Sequence, residues 1–386
     1  MPGTSVGAQL VHKPVDLLFD ARHIRQSGIG TYIETLLPHL EDTLAHRQLS
    51  LAILADHDTV PPVRDSTVVV LARPSGASMY SVAEQRAWSF ALHTTQPRAF
   101  WVPHYPFPLA LLRRRNRRIL PFVTVHDTLH LQKRSISGQN WPRRMYARTM
   151  LNLDARMCRT IFTPSHATAA SLVKAAPSAC VTVTPIPVND AWLAPADPNL
   201  SPVRGGYILY VGNTKHHKNV PLLVNAFARV AGAVPQDLVV AGGGQSVRTL
   251  DDRVAALAAR HGDRVTVLGR IDFDALRSLI AGADLLVMPS LFEGAGLPPL
   301  EAMASGTAVL CSAIPVLRET CGDGADYFDP YDEQALAALL QKYCCDDDAR
   351  AGLAARGWAW VTQRQSQISV SAAAEKVCAE LDGSGP

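Results

Sequence analysis

Residues 284–306 read Asp-Leu-Leu-Val-Met-Pro-Ser-Leu-Phe-Glu-Gly-Ala-Gly-Leu-Pro-Pro-Leu-Glu-Ala-Met-Ala-Ser-Gly, a run that leaves the backbone few choices. The apolar stretch 285–288 has no polar alternation, which suits a strand buried on both faces of a parallel sheet. Pro289-Ser290 ends it. Gly294-Ala295-Gly296 lets main chain approach a ligand without interference from Cβ atoms. Pro298 and Pro299 suit the first turn of a helix, where a missing N–H costs little. Gly306 closes that helix, and 307–311 begins another buried strand. Such a strand–loop–helix unit turns N–H groups and a positive dipole end toward an anion. Glu293 stands at the mouth and Glu301 about one turn into the helix. Two carboxylates repel phosphate, so beside an anion site they suit the hydroxyls of a sugar or ribose. On spacing alone, a capping Glu293 and a solvated Glu301 remain the plainer reading.

The same unit recurs along the chain. Residues 15–20 form an apolar strand followed by Gly28-Ile-Gly30 and a helical period through Ile33, Leu36, Leu37 and Leu40. A dinucleotide fingerprint needs a third glycine where Ile33 stands, so a nicotinamide site is disfavoured. Gly28 and Gly30 then either turn amides toward phosphate or form a plain structural turn. Further strands are expected at 51–55, 67–72, 99–102, 122–125 and 161–163, with a helix at 81–93. His104 and His126-Asp127 follow two of these strands, where ligand crevices of open α/β sheets lie. Either histidine alone reads more readily as structural. Strand 207–211 leads into Gly212-Asn-Thr-Lys215-His-His-Lys218-Asn219 and a helix from 221, so Lys218 arrives at a helix N-terminus. Strands 238–241 and 265–268 precede Gly242-Gly-Gly244 and Gly269-Arg270. Asp272-Phe-Asp274 has metal-binding spacing, yet it opens a helix and reads as an N-cap.

At 386 residues the chain is long enough for two domains. The Pro-rich, polar stretch 191–205 is the expected linker. No apolar run reaches 18 residues, and the first 14 residues lack the pattern of a signal peptide. Seven scattered cysteines without C-x-x-C read as free thiols, neither a disulfide framework nor a zinc site. The net charge of +3 conceals an asymmetry. Residues 1–190 carry 21 Lys+Arg against 12 Asp+Glu, and the remainder 16 against 22. Arg113, Arg114, Arg115, Arg117 and Arg118 follow Leu109–Leu112, and Arg143, Arg144, Arg148 and Arg156 lie on an expected helix over 142–157. This face should meet an anionic partner. An anionic membrane surface fits best, because no nucleic-acid-binding pattern accompanies the basic residues.

The strand, Glu293-Gly-x-Gly-Leu-Pro298, the second glutamate eight residues on and Ala302-Met-Ala-x-Gly306 together closely resemble the signature of family-4 retaining glycosyltransferases. The resemblance extends to Ser165 at a strand end, to 320–330 and to His126-Asp127. It implies the GT-B fold: α/β, two Rossmann-like doubly wound domains with a cleft between them. The implied domains are an acceptor-binding half (1–190), the linker (191–205), a nucleotide-sugar half (206–365) and a C-terminal helix (366–386) returning to the first half. It also implies donor contacts from Lys218, Glu293, Gly294, Ala295, Gly296, Leu297, Glu301, Gly269 and Arg270. Asn213 stands where relatives often have arginine, with Lys215 as its substitute. Catalytic roles fall on His126, Lys218 and Glu293, with no metal and no cofactor beyond the nucleotide sugar. Gly28-Ile-Gly30-Thr-Tyr32 and 212–219 resemble mannosyltransferases of bacterial surface-polysaccharide assembly. The resemblance therefore implies GDP-mannose, or else a UDP-sugar, and a polyprenyl-diphosphate-linked saccharide acceptor. The location it implies is cytoplasmic, peripheral to the inner membrane. Replacing Lys218 or Glu293 is expected to abolish transfer with the fold near intact.

Overall fold

Every strand pair among the described residues is parallel, as doubly buried apolar strands require. The structure is a computed structural model that describes residues 14–26, 28–242 and 252–383. In the first sheet β1 (Leu17–Asp20), β2 (Leu51–Ala55), β3 (Val68–Leu71), β4 (Ala99–Val102), β5 (Leu120–Thr124), β6 (Thr160–Thr163) and β7 (Val181–Val183) follow the spatial order β3-β2-β1-β4-β5-β6-β7. In the second, β8 (Tyr207–Val211), β9 (Asp237–Ala241), β10 (Val265–Leu268), β11 (Leu285–Met288), β12 (Ala308–Ser312) and β13 (Asp326–Phe328) follow β10-β9-β8-β11-β12-β13. Both are the Rossmann order, in which the chain winds outward one way from the first strand and then the other. The reversal falls between β1 and β4 in the first sheet and between β8 and β11 in the second. Loops leaving those strands part to opposite faces and open a crevice beyond their carboxyl ends.

Two compact units result. One comprises residues up to Thr128, Trp141–Ile186 and the chain from Ser369, and the other Leu129–Asn140 and Pro187–Ile368. The segment 129–140 differs from a simple division near 190. Its helix Arg134–Ser137 packs against the turn His216–Lys218, and the Ser135 carbonyl is 2.7 Å from His216 Nε2. The C-terminal helix Ala372–Asp382 lies on the helix Ile29–His46, where Arg47 reaches Asp382 at 3.0 Å.

The cores are assembled from the strands and the inner faces of the helices. Phe19, Trp88, Phe100, Trp101, Phe122 and Phe162 are fully buried in the first unit, and Tyr207, Tyr210, Phe227 and Leu286 in the second. Local capping agrees with the composition. Asp272 Oδ1 accepts the Ala275 N–H at 2.9 Å and caps the helix Phe273–Ala281, so Asp272-Phe-Asp274 is a helix start. The Gly242-Gly-Gly244 turn lies partly outside the described residues. None of the described helices is long and apolar enough to cross a membrane.

Candidate functional site

In the second unit the reversal between β8 and β11 brings together two loops distant in sequence. Asn219, in the left-handed conformation at φ 55°, begins the helix Val220–Val230. Its amide Nδ2 donates to the carbonyls of Pro289 (3.2 Å) and Pro330 (2.8 Å). The Leu291 N–H donates to the His217 carbonyl at 2.7 Å. These bonds hold Lys218 against Glu293. The Lys218 ammonium donates to both carboxylate oxygens, at 2.7 and 2.9 Å, and Ser290 Oγ donates to Oε1 at 2.6 Å. The pair is nearly dry, with side-chain exposures of 14% and 9%. Glu293 is therefore a gripped, buried carboxylate, where a helix cap was one reading of the sequence.

The loop then turns at Gly296, whose φ is +68°. A Cβ there would also meet Leu317 Cδ2 at 2.8 Å, so both conformation and space demand glycine. Thr320 Oγ1 donates to the Ala295 carbonyl at 3.0 Å and braces the turn from behind. Pro298 and Pro299 occupy the first turn of the helix Leu297–Ala304. Gly294, Ala295, Gly296 and Leu297 thus sit at the positive end of that helix. Glu301 lies one turn further in, partly buried, and burial pushes its carboxyl up to about 7. This carboxyl changes charge near neutral pH.

The other residues of the second unit are more peripheral. Asn213 Oδ1 accepts the Lys215 N–H at 3.2 Å, an Asx turn that shapes the loop, while the Lys215 side chain is exposed. Gly269 and Arg270 are exposed beyond β10, the edge strand.

In the first unit His126 follows β5. Its Nε2 lies 2.7 Å from the Pro103 carbonyl, its ring meets Tyr32 edge-on at 4.9 Å, and burial lowers its pKa to about 4. The imidazole is neutral at physiological pH. Because a carbonyl only accepts, Nε2 carries the proton and Nδ1 is an acceptor. Gly28, at φ +71°, supplies a turn other residues resist, with open space where a Cβ would stand. Gly30 is required by close packing, since a Cβ would lie 2.1 Å from the Ile24 carbonyl oxygen. Its N–H donates to the Gln26 carbonyl at 2.6 Å. That amide is committed within the turn, which agrees with the plain structural turn among the two readings of the sequence.

The chain matches two family models, Glycosyltransferase Family 4 over residues 26–192 and Glycosyl transferases group 1 over 197–359. Together they take in most of its length. The chain belongs to the family-4 glycosyltransferases of the GT-B fold. It is 28% identical over 257 residues to the O-antigen chain mannosyltransferase RfbU of Salmonella typhimurium, a match covering 64% of this chain and 70% of that protein. It is 34% identical over 163 residues to O-antigen chain mannosyltransferase B of Escherichia coli, covering 41% of this chain and 42% of that one. Among solved structures, sucrose-phosphate synthase from Thermosynechococcus elongatus superposes with a TM-score of 0.76 at 19% identity, over 97% of this chain and all of that one. HepE of Anabaena, solved with UDP-glucose, superposes at 0.70 and 16% identity over 96% and 100%.

The glycosyltransferase also holds a charged cluster that sequence reasoning missed, at the reversal between β1 and β4. Asp20 accepts from Arg22 Nε (2.9 Å) and Nη2 (2.7 Å) and from Trp88 Nε1 (2.6 Å). Glu84 Oε1 lies within 2.9–3.3 Å of His104 Nε2, His23 Nε2 and Arg22 Nη2. Burial alone would raise Glu84, but hydrogen bonds to His104 and His23 and the charge of Arg22 outweigh it and hold the carboxyl at about 2. His23, Glu84 and His104 have the donor atoms of a metal site. The Arg22 guanidinium already neutralises the shared oxygen, so the group forms a buried ion network in which Arg22 Nη1 and His104 Nδ1 are left without a hydrogen-bond partner among the described residues. The available signal was a carboxylate, Asp20, ending an otherwise apolar strand. On the surface of this unit, Arg113, Arg114, Arg115, Arg117 and Arg118 are all exposed, beside Leu109 and Leu112 at 43% exposure each.

Proposed function

We propose that this glycosyltransferase is a retaining, metal-independent hexosyltransferase. It moves mannose from GDP-mannose to a polyprenyl-diphosphate-linked saccharide during assembly of a bacterial surface polysaccharide. The observation that carries this reading is the Lys218–Glu293 pair beside the Gly296 turn. It sets a cation and a carboxylate side by side at the positive end of a helix. In the reaction the bond from the anomeric carbon to the diphosphate oxygen breaks and one to the acceptor oxygen forms. The acceptor proton passes to the departing diphosphate. Lys218 and the amides of Gly294–Leu297 stabilise the charge that grows on that leaving group. Glu293 takes hydroxyls of the transferred sugar, Glu301 those of the ribose, and His126 contacts the sugar as a neutral side chain. Front-face attack assisted by the diphosphate needs no covalent nucleophile, and none is assigned.

Mannose and a surface-polysaccharide product are supported by similarity to the two O-antigen chain mannosyltransferases. The exposed arginines and adjacent leucines support a peripheral position on the anionic inner face of the cytoplasmic membrane. A UDP-sugar or deoxysugar nucleotide is the second reading for the donor, because the same residues accommodate either base. The deciding experiment measures thermal stabilisation by GDP-mannose, UDP-glucose, UDP-GlcNAc, GDP, UDP and NAD, then transfer from whichever nucleotide binds. Ligands specific for the folded state raise the melting temperature by mass action. A response to GDP and GDP-mannose alone supports the reading. A response to UDP compounds moves the donor, and binding without turnover turns the protein into a non-catalytic subunit.

A further inference from the structure

Tyr80 has a backbone that its side chain makes costly. Its φ is +63°, in the left-handed region that bulky residues avoid. The other non-glycine residues in that region among those described, Gln48, Gln96 and Asn219, lie at helix ends and carry amide side chains. Asparagine or glycine would hold the same turn at less cost. Full burial does not explain the choice, because Tyr80 remains 40% exposed.

The surroundings hold this conformation firmly. The Tyr80 N–H donates to Glu84 Oε2 at 2.7 Å, while the other oxygen of Glu84 is gripped by the Arg22, His23 and His104 cluster. Ser81 caps the helix Val82–Thr95 through the Glu84 N–H at 3.1 Å, which anchors the residue that follows. The buried ion network thus fixes a partly exposed ring. That ring lies 5.3 Å from Tyr105, tilted by 44°, and meets His104 edge-on at 6.2 Å. Tyr105 and His104 follow β4 at the reversal of the first sheet, where the fold opens its crevice. The charge of Asp127 and the hydroxyl of Tyr146 are felt at both rings, and that of Glu84 at Tyr80. An anion is repelled by the Asp127 carboxylate. A neutral polyol ring is suited, because its C–H face can cover the exposed aromatic surface.

We propose that the exposed ring of Tyr80, backed by the buried Tyr105 and held in place by Glu84, is a stacking platform for a pyranose ring of the acceptor saccharide. The assignment to the acceptor rests on the donor reading above, which gives the nucleotide sugar to the second unit. The platform is a binding element and takes no part in bond making.

The test uses p-nitrophenyl α-mannopyranoside as the probe, with binding to the full chain followed by saturation-transfer NMR. Tyr80→Phe keeps a ring and should bind as the wild type does. Tyr80→Asn accepts the left-handed backbone and removes the ring, so it should fold as well as the wild type and bind about tenfold more weakly. In transfer assays that loss should appear in KM for the probe, with KM for the donor unchanged. Undiminished binding by Tyr80→Asn, or no binding of the probe by the wild type, overturns the platform. A lowered melting temperature in Tyr80→Asn with undiminished binding makes the ring structural and equally overturns it. Nucleotide stabilisation, read on the same samples, tests the donor reading separately. Its absence with the probe still bound at Tyr80 refutes the donor assignment and leaves the platform standing.

Discussion

Replacing Lys218 by alanine leaves Glu293 as a buried carboxylate with Ser290 Oγ as its remaining side-chain donor. Removing one partner of a fully buried pair costs about 3–5 kcal/mol, chiefly because the surviving charge is stranded. Here the exposures of 14% and 9% put the cost at the lower end, about 3 kcal/mol. For a unit of this size each kcal/mol moves the melting temperature by about 2–4 °C, so a fall of roughly 6–12 °C is expected. Glu293→Gln should cost less, because the long lysine side chain can turn its ammonium to water whereas Ser290 holds the carboxylate in place. In the double variant Lys218→Ala with Glu293→Gln the charge is no longer stranded. The stability lost by Lys218→Ala should be partly recovered, with a coupling of about 2 kcal/mol. Calorimetry of the full chain at pH 7 reads all four states. A Lys218→Ala protein that melts within 2 °C or so of the wild type would refute the argument, since the pair would then be no drier than a surface contact. The expected fall departs from what the sequence leads one to expect, namely that such substitutions remove activity and leave the fold near intact.

Three further expectations follow from the same structure. Glu301 is raised from its ordinary range to about 7, so the folded state holds a proton that the unfolded state has lost, and stability should fall as pH rises from about 4.5 to 7. If its carboxylate accepts ribose hydroxyls, stabilisation by the bound nucleotide should grow through pH 7 and lose that dependence in Glu301→Gln; the same slope in both proteins would remove Glu301 from the site. Gly296→Ala meets both an unfavourable φ and Leu317 at 2.8 Å, so it should weaken nucleotide binding more than Gly28→Ala, which meets open space, and equal effects would contradict the packing argument. Replacing Arg114, Arg115, Arg117 and Arg118 by serine should reduce partition onto anionic vesicles by roughly 1 kcal/mol per arginine at low salt without changing nucleotide-induced stabilisation; unchanged sedimentation with vesicles would exclude this face as the contact.

Much of the fold is legible because the signals are local. Uninterrupted apolar runs at 285–288 and 207–211 announce doubly buried strands, and glycine and proline mark where each gives way to loop and helix. Asp272 could be read as a cap from its neighbours alone, and the structure bears that out. Glu84 could not be read in this way. It lies in the first turn of an ordinary amphipathic helix, and its partners Arg22 and His23 stand 62 and 61 residues earlier in the chain. The grouping of segment 129–140 with the second unit was likewise not legible in composition, because its contacts with the turn His216–Lys218 depend on packing and leave no periodic trace.

The sequence by itself determined that this chain forms two parallel α/β halves, with glycine-punctuated loops after their strands, since hydrophobic period and backbone permissiveness are properties of adjacent residues. Tertiary structure alone decided that Lys218 would neutralise Glu293 across 75 residues, that Glu301 would lose enough water to titrate near 7, and that Glu84 would hold Tyr80 in a left-handed turn. The physical reason is the winding of the sheets. Strands adjacent at the reversal are far apart in sequence, so the groups that share charge and exclude water there meet only once each sheet has closed.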